Sequence, residues 1–224
     1  MEISKEQLLQ IDQYLLKCGV KFLDVRSEIG DHFASILEKK LNNNPGLDFN
    51  KEIQNIHSDF KDNGFKNLLK EKTKSVQKRF YKQSVAQLIT FFKLPKILIM
   101  VALFCALYWS MSFMEETASF FSVLSGVLIF LGFRLLFNVN MRNSKKDTFL
   151  VLNMTLYFFN IFYVCVMIFN FASGVKNEIY FLIFSTSFIK LVVFVFLLLF
   201  YWSGEYVYRQ NKKEIQKQYP NCVL

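Results

Sequence analysis

The sequence predicts an all-α membrane protein: a small N-terminal cytoplasmic helical bundle followed by a four-helix transmembrane bundle. Three observations predict it. The composition changes abruptly near Lys96, with charges every few residues before it and long apolar stretches after it. Four apolar runs follow, Ile97–Met114, Ala118–Phe137, Phe149–Phe171 and Ile179–Trp202. Each holds about 18 to 24 residues, and about 20 helical residues cross a hydrocarbon core of about 30 Å. The basic residues alternate between the connections. Ten Lys/Arg lie between Lys61 and Lys96, and further basic residues stand at Arg142, Lys145 and Lys146 and at Arg209, Lys212, Lys213 and Lys217. The other connections hold Glu115-Glu116-Thr117 and a lone Lys176 opposite Glu178. By the positive-inside rule both termini and the middle loop are cytoplasmic, in an inner membrane.

The overall composition is consistent with this split. Hydrophobic residues make up 53% of the chain, including 27 Phe, and the formal charge is +9. The charge is a topology signal and requires no direct nucleic-acid contact. Ser4–Cys18 is amphipathic and charged, so the first run is expected to act as an uncleaved insertion signal. Cys18, Cys105, Cys165 and Cys222 are far apart and form no C-x-x-C pair, which predicts neither a zinc site nor a disulfide framework.

Residues 1–75 are expected to form the bundle, 76–96 a basic stalk, 97–202 the four spans and 203–224 a basic tail. The first helix opens at Ser4, with Gln7 completing a capping box and Ile3 and Leu8 placed as a hydrophobic staple. Its apolar stripe is Leu8, Ile11 and Leu15, and Gly19 stops it. The second runs from about Phe22 to Leu41, with Val25, Ile29, Phe33, Ile36 and Leu37 facing the core. Asn42-Asn43-Asn44-Pro45-Gly46 reads as a loop. Asp48 caps a third helix carrying Phe49, Ile53, Ile56 and Phe60, which Asn63-Gly64 ends. A fourth begins near Phe65 and adds Leu68 and Leu69 to the core. It either continues as a stiff stalk or gives way to a flexible link, and Pro95 kinks or restarts the helix at the lipid boundary. Lys70, Lys72, Lys74, Lys78, Arg79 and Lys82 are candidate contacts to lipid headgroups, each contributing about 1 kcal/mol near an anionic surface.

Asp24, Glu28 and Asp31 recur at i, i+4 and i+7, and with His32 they form a candidate partner-binding face. A metal site there would need ligands the sequence does not supply, and His32 reads more simply as a semi-buried histidine bonded within the bundle. This segment resembles a known family. A first helix ending at Cys18-Gly19 is followed by Asp24-Val25-Arg26-Ser27-Glu28-Ile29-Gly30-Asp31-His32-Phe33, then Ile36 and Glu38-Lys39. Phe49, Phe60 and Asn63-Gly64-Phe65 and a lysine-rich run come after. The order resembles the helical signalling domain called HAAS, found beside PadR-type winged-helix regulators in bacteria and usually followed by several spans. The resemblance covers about the first 75 residues. It implies a membrane-tethered signalling role without catalysis, with a winged-helix transcriptional regulator or another cytoplasmic protein as partner.

Within the spans, Lys190 falls near the middle of the fourth run. A charge at that depth either faces a cavity or partner or snorkels to the interface. Asn153, Tyr157 and Asn160 make a polar stripe on the third span, and Ala118, Ser122 and Gly126 a small-residue face on the second. The runner-up function is therefore a small transporter or channel component whose path involves Lys190, Asn153, Tyr157 and Asn160. Arg134 is expected to snorkel. No nucleophile elbow, phosphate loop or metalloprotease motif occurs, so no enzyme and no cofactor is expected. The lipid-facing surfaces permit a monomer or a homodimer.

Overall fold

The computed structural model describes residues 3–44, 46–59, 64–143, 148–174, 180–181 and 184–220. Eight helices are present among these residues, with one short hairpin. The chain divides into two compact units. The first comprises Met1–Lys78 together with Lys145–Val151, and the second comprises Arg79–Ser144 and Leu152–Leu224.

The first unit contains α1 (Lys5–Lys17), α2 (Leu23–Asn43), α3 (Phe49–Asp59) and the beginning of α4 (Gly64–Thr90). Ser4 Oγ accepts from the Gln7 amide at 3.2 Å, and Gln7 Oε1 accepts from the Ser4 amide at 2.9 Å, completing the capping box. Gly19 sits at φ +92° just beyond α1, where the Val20 amide turns back to Leu15 O at 3.1 Å. A side chain at that φ would be strained, so the glycine lets α1 stop and α2 fold back onto it. Asp48 Oδ1 accepts from the Asn50 amide at 2.9 Å and opens α3. Ile11, Leu15, Val20, Val25, Ile29, Phe33, Leu37, Ile53 and Ile56 are buried. Arg26 pairs with Asp12, and Lys40 reaches Glu52 at 2.9 Å.

The expected stripes need two corrections. Leu8 and Ile36 are exposed, so α1 buries only Ile11 and Leu15, and α2 buries Ala34 and Leu41 on the flanks of its stripe. Pro45, Phe60 and Asn63, and the side chains of Phe65 and Leu68, lie outside the described residues.

The second unit contains the rest of α4, then α5 (Lys96–Met111), α6 (Thr117–Asn143), all but the first two residues of α7 (Leu150–Ser173), and α8 (Thr186–Gln218). Strands β1 (Tyr180–Phe181) and β2 (Phe184–Ser185) form an antiparallel pair before α8. Helix α8 packs on α6 and α5. Phe80, Phe121, Leu128, Phe158, Phe162 and Tyr201 are the largest fully buried side chains of this unit among the described residues. Three helices are long and apolar enough to cross a membrane, at Thr117–Val139, Leu150–Ser173 and Thr186–Gln218. Helix α5 is apolar but has only 16 residues.

Element boundaries differ from the apolar runs in physically traceable ways. The first run extends to Met114, but α5 stops at Met111. There the Ser110 and Ser112 hydroxyls donate to the carbonyls of Leu107 at 3.0 Å and Trp109 at 2.6 Å, an alternative to further helix propagation. The fourth run begins at Ile179, but α8 begins at Thr186, because Ser185 Oγ accepts from the Phe188 amide at 3.3 Å and caps it. Helix α8 then runs through most of the basic tail. The Ala118, Ser122 and Gly126 face does not pack: Ser122 and Gly126 are exposed, and a side chain at Gly126 would meet nothing within 4 Å. The small residues at close contacts are Gly132, against Phe159 and Phe162, and Gly204, against Phe158.

Candidate functional site

In the first unit, the N-terminal end of α2 grips the start of α7. The Leu23 amide donates to Thr148 O at 2.8 Å, and Thr148 Oγ1 donates to Lys21 O at 3.2 Å. Phe22 and Thr148 form a parallel bridge. The Asp24 carboxylate accepts from two amides of α7, Leu150 at 2.9 Å and Val151 at 3.2 Å. The first amides of a helix have no intrahelical partner and carry the positive end of its dipole, so a carboxylate there satisfies both needs. Burial pushes the Asp24 carboxyl above the usual carboxylate range, outweighing the backbone amides of Leu150, Val151 and Val25 that pull it down. Phe149 and Leu150 are buried beside it.

Asp24 is thus separated in role from the rest of the predicted acidic face. One turn on, Glu28 and His32 line an open cleft of about 280 Å³ between α2 and α4, floored by Val25 and Ile29 and closed by Glu71, Lys72 and Ser75. Lys72 pairs with Glu28, joining a predicted headgroup contact to the predicted partner face. His32 is exposed, not semi-buried as expected, and Asp31 is exposed on the same helix. The histidine bonded within the bundle is His57, whose Nδ1 lies 2.6 Å from the Tyr14 hydroxyl with the rings edge to face. No cluster of metal-ligating side chains occurs among the described residues. Of the other basic candidates, Lys70, Lys74, Lys78, Arg79 and Lys82 are exposed, and Arg79 lies 3.8 Å from Glu214.

The second unit does not assemble the predicted intramembrane path. Lys190 is in the second turn of α8, not at mid-span, because the helix starts late. Its Nζ donates to Ser173 O at 3.4 Å and stands 5.6 Å from the centre of the Phe121 ring. Ser173 is the last residue of α7, whereas Asn153, Tyr157 and Asn160 lie in its first half. Asn160 is 13 residues before Ser173, about 20 Å along the helix. Tyr157 and Asn160 are exposed, and the 540 Å³ cavity beside Lys190 is lined by apolar residues such as Ile168, Phe169 and Val193, and by none of the three.

A polar cluster that the sequence reading missed lies at the other end of α8. Arg134 Nη2 donates to Glu205 Oε1 at 2.6 Å and to the Tyr201 hydroxyl at 3.3 Å. Arg209 Nη2 reaches the same Glu205 oxygen at 2.7 Å. Glu205 is buried, while the arginine side chains are 44% and 67% exposed. The available signal was Glu205 itself, an acid three residues past the last apolar run and four before Arg209.

Scans against protein-family models, curated proteins and solved structures returned no match to this chain.

Proposed function

We propose that this chain is a non-enzymatic, four-span protein of the bacterial inner membrane whose cytoplasmic N-terminal unit binds a regulatory partner. The observation that carries the reading is the grip of α2 on the start of α7. Residues 21–24 and 148–151 are hydrogen-bonded to each other, so they lie on one side of the bilayer. The chain between them then crosses an even number of times. Since α6 is long enough to cross, this supports α5 as a crossing too. Its 16 residues rise about 24 Å, a deficit that local thinning and the apolar flanks at Phe92, Leu94, Phe113 and Met114 accommodate. An even count also agrees with the basic segments, all of which then fall on the cytoplasmic side.

The same grip supports signalling. Helix α2 carries the exposed cleft of Glu28 and His32, and its first turn caps a membrane helix. A partner seated on the cleft would act on the same N-terminal half of α2 that holds that cap. The winged-helix regulator that the resemblance implies fits this arrangement, as does another cytoplasmic protein. The transport alternative is not favoured, because Lys190 and the Asn153–Asn160 stripe lie toward opposite ends of α7.

The reading is tested by replacing His32 with a photo-crosslinking amino acid in intact cells. A discrete adduct is expected at position 32 and none at Lys5, and Glu28→Lys should abolish it. Equal labelling at both positions, or no adduct at His32, would sink the proposal.

A further inference from the structure

We propose that the second unit holds a binding site for one anionic phospholipid, its phosphate on Arg134 and Arg209 and one acyl chain in a groove along α8. The proposal goes beyond partner binding and depends only on the chain being embedded in a membrane.

The polar end is a cleft of about 380 Å³ lined by Arg134, Arg209, Gln87, Trp202 and Tyr206, with Glu205 at its base. Two guanidinium groups share one carboxylate, so the cleft keeps a surplus positive charge. Each guanidinium has five N–H donors in a planar fork, and the bonds to Glu205 and Tyr201 use only one terminal nitrogen of each. The rest of each fork is turned to a partly exposed cleft and matches phosphate geometry. Buried Glu205 fixes both arginines in place, so little ordering remains to be done when an anion arrives. Phe91 and Trp202, with ring centres 6.3 Å apart, and Tyr206 stand beside them, the residue types that collect at the headgroup level.

The apolar end lies further along α8, toward its N-terminus. A groove of about 230 Å³ is lined by Val192, Val195, Phe196 and Leu199 of α8 and by Met100 and Phe104 of α5. On α8 these positions and Trp202, Glu205, Tyr206 and Arg209 recur at spacings of three and four, which places them on one continuous stripe. From Trp202 back to Val192 the helix rises about 15 Å, the depth of one leaflet of a 30 Å core. A charged cleft followed along α8 by an apolar groove, the two together about one leaflet deep, has the shape of a phospholipid. A free phosphate would use only the upper part.

Native mass spectrometry of the full chain released from nanodiscs tests this, with phosphatidylglycerol and phosphatidylcholine in equal amounts. One phosphatidylglycerol is expected to be retained in preference to phosphatidylcholine. Arg209→Gln should weaken that preference about fivefold, the effect of one basic residue near an anionic headgroup. Glu205→Gln should strengthen it, because the amide oxygen still accepts from both arginines and holds them while the opposing charge is gone, and a purely structural role for Glu205 predicts no such gain. Lys190→Gln, outside the site, should leave it unchanged. Equal retention of the two lipids, or an unaltered preference in both Arg209→Gln and Glu205→Gln, would overturn the proposal. So would displacement of phosphatidylglycerol by millimolar inorganic phosphate, which would assign the cleft to a free anion.

Discussion

At the scale of single residues, the second unit depends on where side chains are missing. Gly204 lies between buried Ser203 and buried Glu205. A Cβ there would stand 2.2 Å from Phe158 Cε1 and 2.4 Å from Cζ, inside the ring's van der Waals surface. Phe158 cannot easily retreat, since it is fully buried and packed on Phe80 and Phe200. Gly204→Ala is therefore expected to cost about 1 to 3 kcal/mol through overpacking, read as a lower melting temperature in detergent. Gly126→Ala is the control. It meets nothing within 4 Å and should be neutral or slightly stabilising. Equal effects of the two would show that Gly204 is not a packing device. Sequence alone offered Gly126, in a small-residue pattern, and passed over Gly204, because hydropathy does not distinguish a glycine facing lipid from one facing a ring.

At the scale of elements, local chemistry was legible and long-range chemistry was not. Ser4 with Gln7, Gly19 and Asp48 each act within a few residues of themselves, and each does what its position implies. Asp24 was read as part of an exposed face because its partners are 126 and 127 residues away, on an apolar run that carries no mark of them. The start of α8 was misplaced for a related reason: the apolar run continues across the hairpin, and only the Ser185 cap shows where helix begins. The cap at Asp24 has a definite pH dependence. Burial raises its carboxyl above the unfolded value, so the folded chain holds this proton more tightly than the unfolded chain does. The stability contributed by Asp24 therefore falls as pH rises from the ordinary carboxylate value, about 4, through the raised folded value, and is constant above it. Asp24→Asn should flatten that slope. Asp24→Ala should remove the cap and cost about 1 to 2 kcal/mol at neutral pH, seen as faster hydrogen exchange at Leu150 and Val151. Unchanged exchange at those two amides in Asp24→Ala would show that the carboxylate does not hold the helix start.

At the scale of the whole molecule, the number of crossings decides which surfaces meet which compartment. Length and hydropathy alone favour three crossings, since α5 has only 16 residues. Three crossings made by α6, α7 and α8 would leave residues 3–78 on the side opposite the α6–α7 connection. The Leu23 amide could not then donate to Thr148 O, nor the Leu150 and Val151 amides to the Asp24 carboxylate. A mismatch of a few ångströms at α5 costs only fractions of a kcal/mol per ångström, whereas breaking that grip would strand helix-start amides and a part-buried carboxylate. In the proposed four-span reading the smaller penalty therefore lies at a short crossing. Single cysteines in a cysteine-free background, probed with a membrane-impermeant maleimide on intact cells, provide the test. Thr117→Cys, at the first residue of α6, should label from outside. Ser4→Cys, Ser144→Cys and Asn211→Cys should label only after the membrane is opened. Labelling of Ser4→Cys from outside with Ser144→Cys protected would mean that α5 does not cross and that the grip of α2 on α7 does not exist in the membrane. Labelling of Ser144→Cys from outside together with Ser4→Cys would instead keep the grip and invert the chain, against the ten basic residues between Lys61 and Lys96.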